Sequence, residues 1–105
     1  MTIVTVFRSR LRPGVDEEYQ RVAGEMSRLV RTMGGFIDER FYVSPDGERV
    51  TIVRFADHDS QRTWASEPAH VAAQRRGREE FYAWYDISVA EQTYARTFFG
   101  PGPSD

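Results

Sequence analysis

From Thr2 to Leu11 the chain alternates and is rich in β-branched residues, with Ile3, Thr5, Phe7, Ser9 and Leu11 on one side and Val4, Val6, Arg8 and Arg10 on the other. A period of two predicts a strand with two usable faces. Arg12-Pro13-Gly14 breaks it, and Asp16-Glu17-Glu18 follows, acidic groups where the positive end of a helix dipole favours them. Tyr19, Val22, Ala23, Met26, Leu29, Val30 and Met33 then recur at spacings of three and four, which predicts one apolar helical stripe ending at Gly34-Gly35. Phe36 to Val43 reads as a second strand, Ser44-Pro45-Asp46-Gly47 as a turn and Arg49 to Ala56 as a third strand, making a hairpin. Asp57 or Asp59 is placed to cap a short helix ending near Trp64.

The stretch from Trp64 to Tyr85 carries both tryptophans, one of the two histidines and three arginines. Pro68 fits just inside a helix start, with Ser66 or Glu67 as the cap, because its fixed φ suits the first turn and its missing N–H would have no intrahelical partner there. On a 3.6-residue period His70, Ala73, Gly77, Phe81 and Trp84 form one stripe with Gln74 beside it, so the helix is expected to run to about Tyr85 with an aromatic, semi-polar face. That face reads equally as core or as the wall of a ligand pocket. Asp86 to Phe99 alternates as a long last strand, and Gly100 to Asp105 is a Gly/Pro-containing end expected to be mobile. The order strand, helix, strand, strand, helix, strand is the split βαβ, ferredoxin-like arrangement of an α+β domain: a four-stranded antiparallel sheet with both helices on one face. Residues 1–99 are expected to form one domain and 100–105 a tail. The face without helices carries apolar groups on its first two strands, so a second copy of the chain is expected to cover it as a two-fold dimer, with the long last strand reaching the partner's edge.

Composition narrows the chemistry. A chain of 105 residues buries roughly 65% of its unfolded surface, enough for one modest core. There are 14 Arg, no Lys and 16 Asp plus Glu, a net charge of −2, so no broad basic field exists for nucleic acid. Lysine Schiff bases, disulfides and thiolate chemistry are excluded by the absence of Lys and Cys. The opening MTIVTVFRSR has no basic region before an apolar run, and no stretch approaches the roughly 20 apolar residues of a membrane span, so a soluble, cytoplasmic protein is expected. Asp57-His58-Asp59 is read as a helix cap in a solvated loop rather than a metal site, and Arg75-Arg76 with Glu79-Glu80 as an exposed ion-paired helix face. Arg8, Arg10 and Arg12 are expected to pair with acidic groups such as Glu39 or Glu91 across the sheet or the dimer, a rim for an anionic ligand being the other reading. No Gly-rich phosphate loop, nucleophile elbow or paired-carboxylate spacing is present.

Phe7-Arg8-Ser9-Arg10-Leu11-Arg12-Pro13-Gly14, Gly35-Phe36, Asp46-Gly47, and Trp64 followed by Pro68, His70, Ala73-Gln74, Gly77-Arg78-Glu79 and Phe81-Tyr82 together resemble the antibiotic biosynthesis monooxygenase domain, from Ile3 to about Phe98. The resemblance implies a homodimeric α+β barrel. It carries over to function less directly, because relatives of this shape include cofactor-independent oxygenases, haem degraders, polyketide cyclases and proteins without known activity. The haem-degrading pattern of a strand Asn, a Trp and a ligating His is matched only by Trp64: Phe7 stands at the Asn position and Gln74 at the His position, leaving His70 one turn earlier as the sole substitute. The oxygenase branch implies oxidation of a phenolic or quinol-type aromatic by O2 with no metal, flavin or other cofactor. On that resemblance His70 is the base and Gln74 holds substrate oxygen, with Arg78 or Tyr82 as further donors and Phe7, Met26, Trp64 and Phe81 as walls of a dry pocket. A plain reading stands beside it: His70 as a satisfied, half-buried histidine and the aromatics as core. A cyclase, or a dimer that only binds an apolar small molecule, would use the same pocket.

Overall fold

The computed structural model describes residues 1–102. Strand β1 (Ile3–Leu11) leads through helix α1 (Asp16–Val30) to the hairpin β2 (Phe36–Val43) and β3 (Arg49–Phe55). Helices α2 (His58–Ala65) and α3 (Pro68–Arg76), then one π-helical turn (Gly77–Phe81), precede strand β4 (Tyr82–Glu91). The strands form one antiparallel sheet in the order β2-β3-β1-β4, the ferredoxin-like arrangement.

Register sorts the side chains. Ile3, Thr5, Phe7 and Ser9 stand opposite Phe55, Val53, Thr51 and Arg49 on β3, and opposite Glu91, Val89, Ile87 and Tyr85 on β4. This row faces the helices. Its Ile3 end is the tight core: Ile3, Val30, Val53, Phe55 and Trp64 are buried, with Met26, Leu29, Met33 and Phe36 packed around them. Truncating a residue as enclosed as Phe55 removes about 3–5 kcal/mol. Gly35 makes the turn into β2 with φ +79°, and a Cβ there would collide with Ser60 at the start of α2. In the hairpin turn Gly47 takes φ +91°, while the Asp46 carboxylate accepts from the Ser44 hydroxyl, the Glu48 N–H and Arg10.

Several expectations are corrected. The last helix does not run to Tyr85: α3 stops at Arg76, the π turn follows, and Tyr82 to Tyr85 already belong to β4. The run Phe81-Tyr82-Ala83-Trp84-Tyr85 is aromatic, and pairing with β1 gives its backbone a full ladder that a frayed helix end lacks. At the other end β4 closes at Glu91 rather than Phe99. Gln92 still donates its N–H to the Thr2 carbonyl, but β1 has no residues left to pair beyond it. Tyr94, Phe98 and Phe99 are 72%, 83% and 86% exposed. Of the expected tail, residues 103–105 lie outside the described residues.

Arg8 and Arg10 of β1 do pair with acidic groups, but within this chain these are not Glu39 or Glu91, and Arg12, just past the strand, binds carbonyls instead. Arg8 forms a bidentate pair with Glu48 and Arg10 binds Asp46, both on the hairpin. Arg12 donates to the carbonyls of Arg78, Glu79 and Tyr82. Glu39 instead accepts from Ser27 and Arg31, and Glu91 meets His58 at 2.8 Å. The turn residues Asp46 and Glu48 are brought back over β1 by the hairpin, so they reach the arginines first.

Candidate active site

Between α1, α3 and the sheet lies a cavity of about 330 Å³. Phe7, Met26, Trp64, His70, Gln74, Arg78, Phe81 and Tyr82 all line it. Asp57 caps α2 by accepting from the Ser60 N–H at 2.8 Å, which sets the helix that delivers Trp64. Glu67 caps α3 by accepting from the His70 N–H at 2.9 Å, with Pro68 in the first turn. Trp64 and His70 are thereby brought face to face, stacked with centroids 3.9 Å apart and 12° between planes.

The backbone carbonyl of Trp64 decides the tautomer of His70. Its Nδ1 lies 2.9 Å from the Trp64 carbonyl oxygen, which can only accept, so Nδ1 carries the proton and Nε2 is left with a lone pair. Burial pushes the His70 pKa below its ordinary 6.5, opposed by the Trp64 carbonyl and the Glu67 carboxylate. Near neutral pH the ring is uncharged. The Gln74 amide nitrogen, one helical turn on, lies 3.4 Å from Nδ1 and 3.5 Å from Nε2, so it stands beside the ring and not along the Nε2 lone pair.

The opposite wall depends on two irregularities. The π turn adds a residue between α3 and β4, and Arg12 satisfies its carbonyls at 2.9–3.0 Å. Gly77 is buried there because the Tyr82 ring lies where a Cβ would stand. In β4 the register shifts so that Arg10 faces Trp84 while Leu11 faces Tyr82, leaving Ala83 as a bulge. Tyr82 and Tyr85 therefore share the cavity side, 5.6 Å apart, and both rings contact Phe7 at 5.4 Å. Trp84 is turned to the other face of the sheet, beneath Arg8. Burial and the neighbouring Tyr19 hydroxyl raise the Tyr82 pKa far above its ordinary value, so it stays a neutral phenol able to donate.

Tyr19, Glu39, Gln61 and Tyr85 also line the cavity, although sequence reading did not single them out as site residues. Tyr19 heads the apolar stripe of α1, and its hydroxyl was the signal that this stripe is more than core. Glu39 was legible as a carboxylate in the row of β2 that otherwise holds Phe41 and Val43. Tyr85 shares its side of β4 with Ile87 and Val89, a row that the sequence reading began only at Asp86.

Of the haem-degrading pattern only Trp64 is present, with Phe7 and Gln74 at the positions of the Asn and the ligating His. Among the described residues no group of three or more His, Asp or Glu is placed to hold a metal ion.

The model of the antibiotic biosynthesis monooxygenase family matches residues 2–76, which carries β1 through α3 and so includes Phe7, Met26, Trp64, His70 and Gln74. The chain belongs to that family. Among relatives, YqjZ of Bacillus subtilis (strain 168) is 28% identical over 83 residues, 79% of this chain and 73% of that protein. Among solved structures, Rv0793 from Mycobacterium tuberculosis superposes with a TM-score of 0.82 at 16% identity, covering 92% of this chain and 100% of that one. SnoaB from Streptomyces nogalater, a cofactor-independent oxygenase, superposes with a TM-score of 0.70 at 20% identity, covering 90% and 98%. At such identities the superpositions establish the shared ferredoxin-like fold. In this monooxygenase family member the π turn and β4, which supply Arg78, Phe81 and Tyr82, lie beyond the matched residues.

Proposed function

We propose that this protein is a cofactor-independent monooxygenase that oxidises a fused-ring phenol or quinol-type aromatic with O2. The observation that carries the reading is His70: an uncharged imidazole whose Nδ1–H is held by the Trp64 carbonyl, leaving Nε2 as a base in a largely apolar chamber. Nε2 takes the hydroxyl proton of the enol form of an anthrone-type substrate, in which one hydrogen of the activated ring CH2 has already moved to the carbonyl oxygen. The resulting anion is electron-rich enough to pass an electron to O2. Recombination of the two radicals forms a carbon–peroxide bond at the former CH2, and its second hydrogen is lost as the O–O bond breaks. One oxygen atom becomes the new carbonyl and the other leaves as water, so the substrate supplies both electrons the reaction needs. Gln74 and the Tyr82 phenol are the donors for the oxyanion, and Arg78 adds positive charge on the same wall. Phe7, Met26, Trp64 and Phe81 keep water away from the anion. The family match and the likeness to a cofactor-independent oxygenase support this reading.

Oxygen uptake by the metal-free protein, measured in an electrode cell against anthrones, naphthols and quinols, tests it. Uptake scaling with protein and falling about 10²–10⁴-fold in His70→Ala is the expected result. A His70→Ala variant as fast as the parent would remove the base from the mechanism.

We also propose a homodimer. Val4, Val6, Val50 and Ile52 occupy the sheet face away from the helices, with Tyr42 and Trp84 there 52% and 42% exposed. An apolar surface of this kind favours a second copy of the same face.

A further inference from the structure

Glu39 is the only carboxylate among the described residues that lines the cavity. It stands on edge strand β2 opposite Val53, with its side chain only 18% exposed. Ser27 of α1 and Arg31 at its C-terminal cap both bind its Oε1, the latter at 3.4 Å, whereas Oε2 has no hydrogen-bond partner among the described residues. His70 belongs to α3, which reaches the cavity from another side than α1.

Resting on the phenolic reading of this site, we propose that Glu39 Oε2 accepts a hydrogen bond from a second ring hydroxyl of the substrate, remote from the hydroxyl that His70 deprotonates. A carboxylate oxygen in a cavity is solvated while the cavity is wet. When a fused ring displaces that water, the oxygen must receive a donor from the ligand or remain unpaired, and an unpaired buried acceptor costs more than a hydrogen bond returns. The cavity therefore selects against aromatic molecules with an ether or a bare C–H at this position. Arg31, 3.4 Å from Oε1, offsets part of the charge of Glu39, which weakens the pull on an ammonium group and favours a neutral hydroxyl as the donor. The residue is a specificity determinant: it touches the ligand but takes no part in the oxygen chemistry.

Emodin and physcion provide the probe, since they differ only in the methylation of one ring hydroxyl. Both are already oxidised at the ring carbon the monooxygenase would attack, so binding is read without turnover, as quenching of tryptophan fluorescence. The parent protein is expected to bind emodin about tenfold or more tightly than physcion, the scale of a hydrogen bond to a charged acceptor. In Glu39→Gln the amide carbonyl keeps Ser27 and the NH2 group turns to the ligand, so the preference disappears or reverses. Glu39→Met, without an acceptor, is a second variant that also loses it, and circular dichroism identifies a variant that has not folded. Equal affinities in the parent, no binding of either compound, or the same preference in both folded variants overturns the proposal. If the preference behaves as expected but no phenol supports oxygen uptake, the oxygenase reading fails and the role of Glu39 stands.

Discussion

His70 concentrates the chemistry of the chain at one side chain, and its environment makes its own pH prediction. Because burial holds its folded pKa below the ordinary 6.5, the unfolded chain takes up a proton first as the solution is acidified. The stabilisation from a neutral, buried ring is complete above that value. It is lost as pH falls from 6.5 towards the depressed folded pKa. Urea midpoints measured between about pH 7.5 and about pH 5 should decline more steeply in the parent than in His70→Gln, where this ionisation is gone. Identical slopes would show that the ring titrates normally. Any activity that uses Nε2 as a base should likewise have its acid limb below 6.5 rather than above it. The sequence was informative at this scale: the spacing of Pro68, His70 and Gln74 behind a Glu67 cap located the imidazole on the first turns of a helix. It said nothing of the Trp64 carbonyl, six residues earlier and on another helix, which chooses the tautomer.

At the scale of elements, the junction between α3 and β4 departs furthest from periodic expectation. Apolar residues at helical spacing continue through Phe81 and Trp84, so a pattern read along one dimension extends the helix. The backbone leaves it because the sheet offers better partners. Arg12 and Gly77 make the departure possible, the first by satisfying three carbonyls at the helix end and the second by giving room to the Tyr82 ring. Gly77→Ala should cost about 1–3 kcal/mol, as overpacking at a buried backbone position does, and should shift Tyr82 within the cavity. Arg12→Leu should lower the thermal midpoint and weaken fused-ring binding without touching His70. A Gly77→Ala protein with unchanged midpoint and unchanged emodin affinity would show that the π turn has slack. Both changes are read by thermal unfolding and by the same fluorescence titration.

For the whole molecule, the sheet has one face covered by helices and one face open. The Cα radius of gyration is 15.4 Å, against about 13 Å for an ordinary domain of this length. In the segment after Glu91, Tyr94, Phe98 and Phe99 are exposed. Light scattering on the eluted protein should give the mass of two chains. Val6→Glu, at the middle of the open face, should shift it towards one chain while leaving the His70 side of the sheet unaltered. A parent that elutes as a single chain at all concentrations would remove the dimer and leave the aromatic arm without a partner. Among the described residues no helix is long and apolar enough to cross a membrane.

The sequence by itself determined the order of elements, the strand and helix faces of the first half, the hairpin and the family, and narrowed the caps of α2 and α3 to two candidates each. It also pointed to eight side chains that line a single cavity. These are local quantities: alternation, 3.6-residue periodicity, turn residues and caps each act within a few positions of the chain, so they can be read from one dimension. The tertiary structure alone decided where α3 gives way to β4, which way Tyr82 and Trp84 face, which carboxylates meet the arginines of β1, and that Glu39 reaches the cavity with one oxygen free. Each of those depends on contacts between segments far apart in sequence. The bulge at Ala83 exists because β4 must pair with β1 while Arg12 holds the turn before it, and no window of residues around Ala83 contains that constraint.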